Sequence, residues 1–150
     1  MGILKLILSL ILFSPFIFAQ DFSGLKNLDG SSAKITTPKN KLLVYFWATW
    51  CPDCREHVKD SLPKLEDKKN FDMITIVMDK DTDRATQYIA KENIKLKTFR
   101  DPEKKLSAPL KVFSVPQWAV FEKQKNDWKL IVTESGSEDQ KMLKALGENL

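Results

Sequence analysis

Cysteine and histidine are scarce in this chain, which has two cysteines and one histidine among its 150 residues. Two cysteines close at most one disulfide between them, so a scaffold held together by several structural disulfides is excluded. A structural zinc centre needs four ligands, and Cys51, Cys54 and His57 supply no more than three. We therefore expect neither a metal nor another cofactor.

A large excess of charge of one sign is also absent. The chain has 24 Lys and Arg against 20 Asp and Glu, a formal net charge of +4. Lys5 is the single charged residue within residues 1–19, so removal of that segment lowers the net charge to +3. Such a small and scattered excess predicts no nucleic-acid partner.

Long hydrophobic runs are missing except at the N-terminus, where an apolar stretch extends from Leu6 to Phe18. It falls short of the roughly 20 residues that span a bilayer, and Pro15 interrupts it. With Lys5 before it and Ala19 after it, the stretch is typical of a secretory signal peptide cleaved after Ala19. An uncleaved N-terminal anchor is the alternative.

The rest of the chain, residues 20–150, has the length and composition of one domain. Both cysteines lie far from the predicted cleavage site, so no cysteine is placed to carry an N-terminal lipid. We expect an exported protein, periplasmic or otherwise extracytoplasmic, that is soluble after signal cleavage.

Apolar periodicity along residues 20–150 predicts an α/β fold. A buried strand over Leu42–Trp47, a helix starting at Cys51 and a second buried strand over Phe71–Met78 make a βαβ unit with parallel strands. The other predicted elements are a short N-terminal hairpin around Asp29-Gly30, a helix over Arg84–Asn93, a short strand over Lys97–Arg100, a helical turn over Lys104–Leu110, an antiparallel pair formed by Gln117–Phe121 and Trp128–Thr133, and a last helix starting at Ser137 with a capping box completed by Gln140.

The two cysteines form the motif Cys51-Pro-Asp-Cys54 directly after the first buried strand. At the start of a helix the exposed amides and the helix dipole favour a thiolate at Cys51. Pro52 fits the first helical turn, where a missing N–H costs nothing. The motif predicts disulfide exchange with another molecule, with Cys51 as nucleophile and Cys54 as the resolving thiol.

With its lead-in Trp47-Ala48-Thr49-Trp50 before Cys51, the chain resembles the thioredoxin superfamily, and within it the TlpA/ResA-type exported thiol-disulfide oxidoreductases. The resemblance extends from about Asp21 to the C-terminus. It implies a thioredoxin-like fold with a central mixed sheet flanked by helices and a short N-terminal hairpin. It also implies protein thiols and disulfides as partners, an electron donor in the membrane or among exported proteins, and a monomer.

The resemblance further implies a cis-proline opposite the cysteines, and Val115-Pro116 occupies that place in the chain. The backbone of Val115 is then free to pair with an incoming peptide, and Trp50 and Pro52 flank the nucleophile on the other side. Trp118 is expected to be a core residue rather than a substrate contact.

Three residues near the motif depart from the family pattern. Tyr45 stands where many thioredoxins carry a buried Asp that accepts a proton, and His57 stands where TlpA/ResA-type chains often carry Glu, with Glu56 just before it. Helical spacing from Cys54 places His57 at the margin of the buried face, where solvent exposure is the commoner state. His57 and Glu56 are therefore candidates for tuning the cysteine pKa values, with exposure as the alternative for both.

Asp53, between the cysteines, repels a neighbouring thiolate and makes the dithiol more reducing. The sequence therefore predicts an exported thiol-disulfide oxidoreductase that acts as a reductant. The alternatives are an oxidant of protein thiols and a thioredoxin-fold binding module whose disulfide is not catalytic.

Overall fold

The computed structural model describes residues 20–68 and 70–148, so the predicted signal peptide lies outside the described residues. Five strands form one sheet: β1 (Lys41–Trp47), β2 (Asp72–Val77), β3 (Thr98–Phe99), β4 (Gln117–Gln124) and β5 (Asp127–Ser135). The helices are α1 (Pro52–Glu56), α2 (Leu62–Glu66), α3 (Thr82–Lys91) and α4 (Asp139–Leu146), and a π-helical segment (His57–Ser61) joins α1 to α2.

The sheet is mixed, with strand order β3-β2-β1-β4-β5. β1 pairs in parallel with β2, and β2 with β3, whereas β4 runs antiparallel to both β1 and β5. The predicted βαβ unit and antiparallel pair are therefore confirmed. β1 is buried along nearly its whole length, because its apolar side chains enter a core on both faces of the sheet.

Alternate residues of β1 supply the two cores. Leu43, Tyr45 and Trp47 face a cluster built with all four helices. Leu42, Val44 and Phe46 face the second cluster, which is covered by the N-terminal segment and the turns after β3, through Leu25, Leu106 and Leu110. Trp118 is buried in the first cluster, so its assignment to the core is confirmed.

The helix that carries the cysteines is not a uniform α-helix. Pro63 lies in the first turn of α2, and its missing N–H removes one α-helical bond from the preceding turn. The π-helical segment occupies that turn, from His57 to Ser61. Such single-turn widenings add a residue to a helix, and they locally change which side chains face inward.

Several element ends differ from those the sequence predicts. The N-terminal hairpin is reduced to a single bridge between Lys26 and Ser32, and Lys26 also bridges to Arg100 beside β3. Residues 105–111 form turns in place of the predicted helical turn over Lys104–Leu110. α4 is capped by Glu138 with no side-chain hydrogen bond, so the predicted Ser137 cap is wrong. β5 continues to Ser135, and the next residue, Gly136, donates its N–H to the carbonyl of Pro116.

Candidate active site around Cys51 and Cys54

Cys51 lies between the end of the first strand and the first helix. β1 ends at Trp47, and Cys51 is the N-cap residue of α1, with extended backbone angles and Pro52 in the first turn. Its sulfur accepts a hydrogen bond from the N–H of Cys54 at 3.2 Å. The two cysteines are joined by a disulfide.

The connection between β1 and Cys51 is anchored by Asp79, which follows β2. The carboxylate of Asp79 accepts the backbone N–H of Thr49 at 2.8 Å and also accepts the Thr49 hydroxyl. Asp79 is 8% exposed and Thr49 3% exposed. Sequence patterns do not predict this pair, because the contact spans 30 residues and only the parallel pairing of β1 with β2 brings the two ends together.

The two cysteines differ in access. Cys51 keeps 6% of its surface exposed, whereas Cys54 is fully buried. Trp50, which precedes the nucleophile position, is 59% exposed. Pro52 and Asp53 are also exposed on the solvent side of the first helical turn.

The segment before β4 closes the other side of the disulfide. The Val115–Pro116 peptide bond is cis, as the resemblance implied. The carbonyl oxygen of Val115 lies 3.9 Å from the sulfur of Cys51. Phe113, two residues before Val115, is 88% exposed and was not among the predicted site residues. The available signal was a large aromatic residue close to the predicted cis-proline.

On the inner side, Tyr45 belongs to the buried cluster that also contains Cys51 and Cys54. Its hydroxyl has no hydrogen-bond partner within the described residues. Burial raises the pKa of Tyr45 far above its ordinary value, and the negative charges of Asp139 and Asp53 raise it further. The hydroxyl of Tyr45 is therefore protonated.

His57 is buried, with 5% of its surface exposed, so the expectation of a marginal, exposed position is wrong. Its ring lies against the ring of Tyr45, with 5.0 Å between centroids. Nε2 of His57 lies 2.6 Å from a carboxylate oxygen of Asp139, the first residue of α4. Nδ1 of His57 is buried and has no partner within the described residues.

The physical reason for the burial is twofold. The π-helical segment begins at His57 and places two consecutive residues, His57 and Val58, inside the protein. Asp139, 82 residues away in the sequence, then satisfies one ring nitrogen. Asp53 and Glu56 remain exposed, and both line a shallow pocket of about 250 Å³ on the outer side of His57, together with Ser61 and Ser137.

A family model described as Redoxin matches residues 18–147 of the chain. The Thioredoxin-like protein YneN of Bacillus subtilis strain 168 is 40% identical over 60 residues, which are 39% of this chain and 34% of that protein. The chain thus matches about a third of the length of that curated relative.

Solved structures share the fold. The exposed lipoprotein thioredoxin Etrx1 of Streptococcus pneumoniae strain TIGR4 aligns with a TM-score of 0.66 and 23% identity, over 82% of this chain and 96% of that one. The N-terminal domain of PilB from Neisseria gonorrhoeae aligns with a TM-score of 0.67 and 20% identity, over 83% and 87%. Among residues 20–68 and 70–148, the helices are too short or too polar to cross a membrane.

Proposed function

Because the chain belongs to the Redoxin family and is a thioredoxin-like oxidoreductase, we propose that it is an exported enzyme that reduces disulfides of partner proteins with the Cys51/Cys54 dithiol. The observation that carries the proposal is the disulfide itself, which joins a partly accessible cysteine at a helix N-cap to a fully buried one.

The roles of the two cysteines follow from their access. In the reduced enzyme Cys51 is the sulfur that a partner disulfide can reach, and the amides of the first helical turn stabilise its thiolate. Attack by Cys51 gives a mixed disulfide with the partner. Cys54 then displaces the partner sulfur and re-forms the disulfide that the structure contains.

The direction of electron flow is proposed from the charge between the cysteines. Asp53 is exposed and repels a thiolate in the same turn, which favours the oxidised form of the pair. At a separation of ~7 Å and an effective dielectric of 20 to 80, the repulsion is ~0.6 to 2.4 kcal/mol. At ~30 mV per 1.4 kcal/mol, this lowers the reduction potential by tens of millivolts.

Substrate contacts are proposed on both sides of Cys51. Trp50 and Pro52 flank it along the chain and are exposed, and the carbonyl of Val115, just before the cis-proline Pro116, lies 3.9 Å from its sulfur. The carbonyl of Val115 is placed to accept an N–H from an extended peptide whose cysteine is bonded to Cys51. Phe113 adds an exposed apolar surface next to this segment.

The proposal also includes export of the protein and renewed reduction of its Cys51–Cys54 disulfide. Residues 1–19 act as a signal peptide and residues 20–150 form the domain, which works as a monomer. Support comes from the apolar N-terminal stretch and from a similar structure described as an exposed lipoprotein thioredoxin. Each reduced substrate disulfide consumes two electrons, so a membrane-bound or exported donor must reduce Cys51–Cys54 again.

The proposal is tested with mature protein in an insulin-reduction assay driven by dithiothreitol. We expect the wild type to accelerate insulin reduction and Cys51→Ser to be inactive. Cys54→Ser is the matched control, because it keeps the nucleophile and should accumulate a mixed disulfide that mass spectrometry detects. Activity of Cys51→Ser equal to the wild type would leave the disulfide without a catalytic role and support a binding module.

The direction is tested by the reduction potential of the pair, measured by equilibration with dithiothreitol or glutathione. The exposed Trp50 next to Cys51 provides a fluorescence signal. A value near that of thioredoxin, ~−270 mV, supports a reductant. A value near that of the oxidant DsbA, ~−120 mV, contradicts the proposed direction and makes the protein an oxidant.

A further inference from the structure

Exposed apolar side chains occur on both segments that flank Cys51. In the part of the chain that the structure describes, three large apolar residues are exposed: Phe113 at 88%, Trp50 at 59% and Ile131 at 44%. Trp50 directly precedes Cys51, and Phe113 lies two residues before Val115, whose carbonyl oxygen is 3.9 Å from the sulfur of Cys51. Exposed apolar side chains that are near one another indicate a surface that a partner covers.

The exposure of Ile131 has a different cause, which lies in the sheet. Ile131 belongs to β5, an edge strand that β4 separates from β1. Its neighbours Leu130 and Val132 pair with consecutive residues of β4, so Ile131 between them has no partner in the register. A bulge of this kind leaves the extra residue unpaired. Ile131 therefore provides a matched control for Phe113.

The fold determines the outward position of Phe113. Val112 and Val115, on either side of it, are partly buried and pack against the core. Leu110 is also buried, and its carbonyl accepts a hydrogen bond from the side-chain amide of Gln117 at 3.2 Å. Because the segment is attached to the core before and after Phe113, the exposed ring is a feature of the fold.

A partner that is bonded to Cys51 covers the segment that carries Phe113. Consecutive residues of an extended chain advance about 3.3–3.6 Å, so the Cα atom of Phe113 lies within ~7 Å of that of Val115. The same spacing places the residues two or three positions from the partner cysteine ~7 to 10 Å away from it. The side chain at one of these positions is therefore within reach of Phe113.

The chemistry of Phe113 selects an apolar side chain at that position. Its ring has no polar group, so a contact with it stabilises a complex by removing apolar surface from water. A polar partner side chain would lose bonds to water without gaining a new one. An aromatic side chain has only two χ angles, so little conformational entropy is lost when a partner covers it.

We infer that Phe113 determines which disulfides the protein reduces, by favouring those with a large apolar residue two or three positions from the cysteine. This inference rests on the proposed function. In folded proteins, cysteines and large apolar residues are mostly buried. The substrate class is therefore incompletely folded exported proteins, in which such segments are still accessible.

The first test compares two peptides that differ only in the side chains near their single cysteine. The cysteine is bonded to thionitrobenzoate, and the residues two and three positions away on both sides are Leu in one peptide and Ser in the other. Cys51 of the reduced protein attacks the peptide sulfur, and thionitrobenzoate leaves as a coloured thiolate. Cys54 then forms the disulfide with Cys51 and releases the peptide as a thiol.

The measured quantity is the ratio of the second-order rate constants for the two peptides. We expect the wild type to react about tenfold faster with the Leu peptide. The ratio should fall to about 1 in Phe113→Ser and stay near the wild-type value in Phe113→Leu, which retains an apolar side chain. Ile131→Ser should keep both wild-type rates. A general loss of activity affects both peptides alike, so the ratio reports specificity.

A second measurement uses a protein substrate, scrambled ribonuclease A, whose disulfides are paired at random in an incompletely folded chain. Phe113→Ser should lower the rate at which its disulfides are reduced by about tenfold relative to the wild type. Ile131→Ser should match the wild type. Equal rates for the wild type and Phe113→Ser would contradict the assignment of incompletely folded proteins as substrates.

Failure of the inference is distinct from failure of the proposed function. A wild-type ratio near 1, or a Phe113→Ser variant that keeps the wild-type ratio, overturns the inference and is compatible with an active reductase. A wild type that is dimeric by light scattering and monomeric as Phe113→Ser also overturns it, because a second copy then covers Phe113. If the proposed function itself fails, the wild type releases thionitrobenzoate from neither peptide.

Discussion

The two hydrogen bonds between Asp79 and Thr49 lead to a quantitative prediction about the free energy of unfolding. One buried carboxylate accepts both the backbone N–H and the hydroxyl of Thr49, two residues before Cys51. Hydrogen bonds to charged groups contribute about 1.5–3 kcal/mol each, and part of this offsets the desolvation of the carboxylate. Asp79→Ala leaves two buried donors without an acceptor, so we expect the free energy of unfolding to fall by about 2–4 kcal/mol.

Two conservative variants measure separate parts of this loss of unfolding free energy. Asp79→Asn retains an oxygen for the Thr49 N–H and offers its amide to the hydroxyl, so about 1 kcal/mol should be lost. Thr49→Val removes only the hydroxyl and should cost about 1–2 kcal/mol. Lys80→Ala, an exposed neighbour, should stay within about 0.5 kcal/mol of the wild type.

The assay is urea unfolding of the oxidised protein, followed by circular dichroism, with a double-mutant cycle between positions 79 and 49. Because Thr49 and Asp79 share their bonds, the losses in the double variant should fall short of the sum by at least about 1 kcal/mol. Additive losses, or an Asp79→Ala variant within about 0.5 kcal/mol of the wild type, would refute the view that this pair fixes the segment before Cys51.

Three further predictions concern the oxidised protein. Tyr45→Phe removes a buried hydroxyl that has no partner within the described residues, so it should raise the free energy of unfolding by about 1 kcal/mol, as measured by the urea midpoint. Gly147 ends α4 at φ +74 with Lys41 Nζ 3.0 Å from an added Cβ, so Gly147→Ala should lower the stability by about 1 kcal/mol in the same assay, and an unchanged midpoint would contradict this. The hydrogen bond from Lys59 holds the pKa of Glu92 below its ordinary value of 4.5. The pair therefore stabilises the protein above that pH and loses its effect as the pH falls through the depressed pKa. Glu92→Gln should make the urea midpoint depend less on pH in the acidic range, and an equally steep dependence would count against the pair.

The parts of the fold that local sequence determines were predictable. β1 and β2 are continuous apolar runs because they are buried on both faces, and the positions of Cys51 and Pro52 follow from the strand-to-helix transition. The cis bond before Pro116 followed from the family resemblance, since a Val-Pro pair alone is common in turns. The sheet and the places of both cysteines in the fold could therefore be predicted from the sequence.

The wrong prediction of an exposed His57 comes from treating the helix after Cys54 as a regular α-helix. At 3.6 residues per turn His57 falls at the margin of the buried face, but the π-helical segment changes the phase from His57 onwards. No local pattern shows that Asp139 will satisfy the buried ring, because that contact depends on how α4 packs. Sequence periodicity thus located the helix correctly and misjudged the burial of His57.

The two departures from the family pattern, Tyr45 and His57, are connected in space. A carboxylate at position 45 would be buried and would face the negative charges of Asp139 and Asp53. Those charges oppose a carboxylate there and keep the tyrosine neutral. Asp139 at the start of α4 therefore acts on both residues, because its charge raises the pKa of Tyr45 and its carboxylate binds Nε2 of His57.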